Sequence, residues 1–165
     1  MGVTTMRTGR AAAVWPWIST VARLGLASVF LIAGGLHVGD LAASGRAVNA
    51  YQLMSYDAAR LVGAIQPFLE IAVGLLLLAG LATRLSAAIG ALLMVVFIAG
   101  IVSAWARGLQ IECGCFNKGG ELAAGKTAQY LPEILRDVGF LVLAGILLVK
   151  PRTRFSVDGL LMGEQ

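Results

Sequence analysis

Four apolar runs, over about residues 17–38, 61–82, 85–105 and 131–149, constrain this chain more than any other feature of it. A helix needs roughly 20 apolar residues to cross the hydrocarbon core of a bilayer, and each run is close to that length. Composition agrees: 13% of residues are charged and 58% hydrophobic, whereas a soluble domain carries about 25% charged residues. The spacing predicts an all-α fold, an integral membrane four-helix bundle. Its parts are a cytoplasmic tail (1–16), a four-span domain (17–150) and a second cytoplasmic tail (151–165). With 165 residues in all, no separate soluble catalytic domain fits. Any chemistry must lie between the helices or in their loops.

Arg7 and Arg10 precede the first run. A secretory signal has an apolar stretch of only about 7–15 residues and ends at an A-x-A-like site. This run is longer and lacks that ending, so it is expected to be a retained span. The second run is interrupted near its start by Gln66, Pro67 and Glu70. Gly80–Ser86 is a tight connection that makes spans two and three a hairpin, and Pro132 suits the first turn of span four. Between spans one and two, Ala47, Ala50, Tyr51 and Met54 recur at helical spacing with Arg46 and Asn49 among them. That pattern predicts a short amphipathic helix at the membrane interface.

Four spans place both termini and the 80–86 turn on one side. Lysines and arginines near the span ends are almost evenly divided, but the dense Lys150, Arg152, Arg154 cluster favours a cytoplasmic C-terminus. The third connection, with Cys113 and Cys115, then faces the exoplasmic side of an inner or plasma membrane. The net charge of +4 is too diffuse for a nucleic-acid surface. Lipid is the expected surrounding.

The two cysteines stand in Glu112-Cys113-Gly114-Cys115-Phe116-Asn117. An exoplasmic loop is where disulfides form and persist. Gly114 relaxes the backbone between the sulfurs, but a ring this small is readily reduced and removes little unfolded-state entropy. Redox exchange is one reading. Free thiols, a local turn-stabilising bridge and half of a metal site are the others, although zinc wants about four ligands. The chain has 2 cysteines and 1 histidine, so no metal site is expected and no cofactor is evident. His37, at the outer end of span one, is an interfacial residue or an acid–base group. One histidine cannot supply bis-histidine haem ligation within a single copy.

Arg23, Glu70, Arg136 and Asp137 lie inside expected spans, where ionisable residues are expensive and usually face partners. Gly63, Pro67, Glu70 and Gly74 share one helix face. Arg23, Ala27, Phe30, Gly34 and His37 share another. Glu70 lies between the depths of Arg23 and Arg136, and either arginine is its expected partner. Structural ion pairing and proton or quinone chemistry are the two readings of these charges.

Arg23-Leu24-Gly25-Leu26-Ala27-Ser28-Val29-Phe30 with Ala33-Gly34-Gly35, Pro67-Phe68-Leu69-Glu70 with Gly74, and the Gly80-Leu81-Ala82-Thr83-Arg84 turn resemble the DoxX family of four-helix membrane proteins. The Cys113-Gly114-Cys115-Phe116 loop, followed by a last span with Arg136-Asp137, is similar more narrowly to the MauE branch, methylamine-utilisation proteins. The likeness covers about residues 17–150. Asn117 stands where the family loop often has glycine. The resemblance implies a membrane partner of thioredoxin-like or disulfide-isomerase-like proteins, supporting maturation of disulfide-containing exported proteins. On that reading the chain is a component of a thiol–disulfide oxidoreductase. Cys113 and Cys115 would exchange with the partner, with His37, Glu70, Arg23, Arg136 and Asp137 as supporting polar residues and a membrane quinone as possible electron carrier. The alternative is a non-catalytic scaffold that anchors a partner protein.

Overall fold

The computed structural model describes residues 5–114, 119–122 and 126–161. In chain order the elements are α1 (Thr5–Val38), α2 (Leu41–Ala50), α3 (Tyr56–Ala79), α4 (Thr83–Ala106), strands β1 (Ile111–Glu112) and β2 (Gly120–Glu121), α5 (Tyr130–Val149) and α6 (Val157–Leu161). Helix α1 packs along α3 and α5, while α4 packs along α5 and α3. Val14–Val38, Tyr56–Ala79 and Thr83–Ala106 are long and apolar enough to cross a membrane. Large apolar side chains such as Val21 (69% exposed) and Leu92 (62% exposed) point away from the protein along these helices. Water does not tolerate so continuous an apolar face, and lipid does. The chain is a multi-pass membrane protein.

Helix α5 stands apart from those three. It has 20 residues, but Glu133, Arg136 and Asp137 fall within its first turns. Length and apolarity together therefore support three of the four expected spans.

The helices meet through small residues, as membrane helices commonly do. A methyl group at Gly34 would lie 2.7 Å from the Pro67 carbonyl oxygen, and one at Gly63 would lie 2.6 Å from the Gly45 backbone. The larger side chains of the core are Leu26, Phe30, Val73, Leu77, Met94 and Leu147, interleaved with Ala22, Ala27, Ala87 and Ala144. Helix α3 runs unbroken through Gln66, Pro67 and Glu70, starting at Tyr56 rather than Leu61. It ends at Gly80, whose left-handed φ of 66° turns the backbone N–H groups of Gly80 and Leu81 onto the last carbonyls of the helix.

Asp40 caps α2 by accepting from the Ala43 N–H at 2.9 Å. The buried face of α2 is Ser44, Gly45, Ala47 and Ala50. Tyr51 and Met54, expected on that stripe, lie beyond the end of the helix. The small residues let α2 press directly onto α3, so it is a packed element of the protein and not merely a surface float.

The C-terminal segment is held against the helices. Ser19 Oγ donates to the Lys150 carbonyl at 2.8 Å, and the Arg154 N–H donates to Thr20 Oγ1 at 2.8 Å. Asp158 accepts from the backbone N–H groups of Ala82 (2.7 Å) and Thr83 (2.8 Å), capping α4 from a distant part of the chain. Ser19, the Gly80–Thr83 turn and residues 150–158 therefore share one end of the protein. His37, Tyr51 and Cys113 share the other.

Candidate thiol site

Strands β1 and β2 pair antiparallel, Ile111 with Glu121 and Glu112 with Gly120, so Cys113 and Gly114 directly follow the first strand of a short hairpin. Cys113 and Gly114 are described. Cys115 and Asn117 lie outside the described residues. Gly114 has φ of 86°, and a methyl group at Gly119 would lie 2.7 Å from the Gly114 Cα and 2.9 Å from the Ala47 Cβ. Glycine at both positions thus allows the hairpin to sit on α2.

Further contacts fix this loop. Tyr51 Oη donates to the Cys113 carbonyl at 2.9 Å. The Tyr51 ring lies over Gly100 of α4, 3.4 Å from where a methyl group there would be. Arg107, just past α4, donates to the carbonyls of Tyr51 and Gln52, which ties α4 to the end of α2. On the α5 side, Tyr130 donates to the Leu109 carbonyl and stacks on Trp105 with ring centroids 6.1 Å apart.

Cys113 is half-buried. Arg136 Nη2 lies 3.9 Å from its sulfur. The same guanidinium pairs with Asp137 Oδ1, from Nη2 at 2.9 Å and from Nε at 3.0 Å. The Cys113 backbone N–H donates to the Glu133 carboxylate. A cation beside a sulfur favours the thiolate, the form that attacks disulfides, while the carboxylates of Asp137 and Glu133 around it oppose that effect. Glu112, next in sequence, is drawn away toward Lys126 at 3.9 Å, a weak and largely exposed pair.

Below the loop, α2, α3 and α4 enclose a cleft of about 140 Å³, with Cys113 and Gly114 in its wall. His37 reaches this cleft from the end of α1. Its Nδ1 is 2.7 Å from the Ala33 carbonyl; a carbonyl only accepts, so Nδ1 carries the proton of that bond. Gln66 also lines the cleft and donates from Nε2 to Glu70 Oε1 at 3.0 Å. Glu70 is buried, and His37 lies within electrostatic reach of it.

The polar residues singled out in sequence thus separate into groups. Arg136 joins Cys113 with Asp137 paired behind it, and His37 lines the cleft. Glu70 is bonded to Gln66 of the cleft wall and lines a separate small interior cavity with Asp137. Arg23 lies at the opposite end of the protein, donating to the carbonyls of Leu77 (2.7 Å), Leu78 (2.8 Å), Arg154 (3.3 Å) and Phe155 (3.2 Å). The expectation that Arg23 or Arg136 neutralises Glu70 is therefore corrected: one arginine is occupied by carbonyls and the other by its own neighbour Asp137. Among the described residues, no three His, Cys, Asp or Glu side chains come together as metal ligands. Tyr51, Gln66 and Glu133 belong to the site although sequence reasoning gave them no role there. Their partners are set by how α2 and the hairpin fold over the helices, which spacing along one helix does not reveal.

A family model described as methylamine utilisation protein MauE matches residues 15–150. The chain belongs to the MauE family. No curated protein and no solved structure matches it. The MauE match runs from the first span through α5 and takes in the cysteine hairpin, α2 and every residue lining the cleft.

Proposed function

We propose that this MauE-family protein is a membrane thiol–disulfide redox partner of an exoplasmic thioredoxin-like or disulfide-isomerase-like protein. It supports disulfide formation or maturation of exported proteins, a role that accords with a family described by methylamine utilisation. The observation that carries this reading is Arg136 Nη2 at 3.9 Å from Cys113 Sγ, on a loop positioned by Tyr51. A bridge that merely shaped a turn would need no cation beside its sulfur.

In this reading α5 is the fourth span. Its 20 residues reach roughly 30 Å, and from Val138 onward it carries no charged side chain. Its charges lie at the cysteine end, and buried Asp137 is paired with Arg136. Both termini are cytoplasmic and the Cys113–Cys115 loop is exoplasmic, in an inner or plasma membrane. An attacking thiolate of one protein opens the disulfide of the other through a mixed disulfide, which the second cysteine then resolves.

The test is trapping. With Cys113→Ser and Cys115→Ser made separately, one variant is expected to hold the partner as a reductant-sensitive larger species. If neither traps a partner and the double serine variant keeps full function, the chain is instead a non-catalytic scaffold.

A further inference from the structure

We propose that the cleft beneath Cys113 binds the ring of a lipid-soluble quinone, which exchanges electrons with the cysteine pair. The inference rests on the redox reading above and names the carrier on the membrane side.

The position of the cleft selects a lipid-borne occupant. Gln66 lies ten residues into α3 and Val96 ten residues back from the end of α4, so both walls descend roughly 15 Å. That is about half of a hydrocarbon core of about 30 Å. Leu53, Met54, Val62 and Val96 line the cleft and are also 41–56% exposed, Val62 and Val96 on helices long and apolar enough to cross a membrane. An occupant therefore comes sideways from the bilayer. The volume, about 140 Å³, is below the roughly 300–1,000 Å³ of pockets that enclose a whole drug-sized ligand. It suits one ring, with an apolar tail left among the lipids.

The chemistry of the walls narrows the ring further. Phe97, Pro67 and the methyl groups of Val62 and Val96 are apolar, while His37, Gln66 and Tyr51 supply polar atoms. A flat apolar ring with oxygens on opposite edges matches such a lining, whereas an acyl chain has no use for the polar groups. Cys113 in the wall makes the site redox-competent. Two S–H bonds break, one S–S bond forms between Cys113 and Cys115, and two electrons and two protons pass to the quinone oxygens, giving the hydroquinone. The reverse step balances in the same way. His37, whose Nδ1 is held 2.7 Å from the Ala33 carbonyl, is fixed in the cleft wall beside Cys113.

The experiment uses the full chain in phosphatidylcholine nanodiscs with a decyl-benzoquinone as probe. Binding is measured by calorimetry on the Cys113→Ser/Cys115→Ser variant, which separates binding from electron transfer. Dithiol oxidation is then followed by quinone absorbance on the parent. Val96→Trp fills the lipid-facing mouth from an exposed position and should weaken binding by at least about tenfold. Leu85→Trp, also exposed but at the other end of α4, should leave it unchanged. Equal binding by both variants, or none by the parent, overturns the proposal, and the second result assigns the cleft to lipid chains. Disulfide exchange with a thioredoxin-fold protein is scored in parallel. Exchange without quinone binding defeats this inference and leaves the redox reading standing. Quinone binding with no exchange supports the cleft assignment and defeats the redox reading.

Discussion

Arg136 holds its guanidinium 3.9 Å from the Cys113 sulfur while paired at 2.9 Å with a carboxylate that is buried beside it. Removing the arginine therefore has two effects. Arg136→Leu should slow alkylation of Cys113 several-fold at neutral pH, because the thiolate loses its cation. It should also destabilise the protein by about 3–5 kcal/mol, since Asp137 is left buried and unpaired. Arg136→Leu/Asp137→Leu should recover most of the stability and none of the reactivity. Melting and alkylation rates on the same samples separate the two effects.

Glu70 is bonded to Gln66 and not to an arginine. Glu70→Leu should therefore cost about 1 kcal/mol, the worth of a hydrogen bond, because it strands no buried cation. Arg23→Leu should cost more, about 3 kcal/mol, since it removes charge-assisted bonds to four carbonyls. It should also release the segment around Arg154 and Phe155, read as faster hydrogen exchange there. A larger loss for Glu70→Leu than for Arg23→Leu contradicts this assignment.

Gly63 and Gly45 bring the backbones of α3 and α2 together. A methyl group at Gly63 would fall 2.6 Å from Gly45 backbone atoms, which cannot yield as a side chain can. Gly63→Ala should destabilise by about 1–3 kcal/mol through overpacking and should displace Tyr51 from the cysteine hairpin. Gly139→Ala meets nothing within 4 Å and should stay within about 1 kcal/mol of the parent. Thermal unfolding of the two variants in one detergent makes the comparison.

Asp158 gives the C-terminal contact a pH dependence. Burial pushes its carboxyl upward, but the N–H groups of Thr83 and Ala82 and the charge of Arg23 outweigh that and hold it below the usual aspartate value of 3.8. A carboxyl depressed by folding stabilises the protein above its unfolded value, and that contribution is lost as pH falls through the lower folded value. Asp158→Asn should therefore be less stable than the parent at pH 7. The gap should close only as pH drops below about 4. A gap that closes between pH 5 and 7 points to a different group.

Three of the four expected spans were legible because bilayer thickness imposes a length and apolar side chains mark it. Boundaries shifted where local chemistry overrode hydropathy: α3 begins at Tyr56 and runs straight through Pro67, whose lost N–H a membrane helix tolerates when neighbours pack against it. The cysteines, His37 and the paired Arg136 and Asp137 could be named in advance, because ionisable groups stand out in apolar sequence. Their pairing could not. Arg136 and Asp137 are adjacent on a helix, where neighbouring side chains do not usually face each other. Asp158, which caps α4 across the fold, left no local signature because its partners lie at Ala82 and Thr83.

The central claim is that Cys113 and Cys115 change redox state with an exoplasmic partner, and differential alkylation tests it most directly. Native membranes are incubated with either the reduced or the oxidised form of a thioredoxin-fold protein, then quenched in acid. The cysteines are labelled with two mass-distinct reagents, one before and one after reduction. The account predicts that the pair is dithiol after the reduced partner and disulfide after the oxidised one. An unchanged state under both conditions, with the partner shown to be active on another substrate, contradicts it.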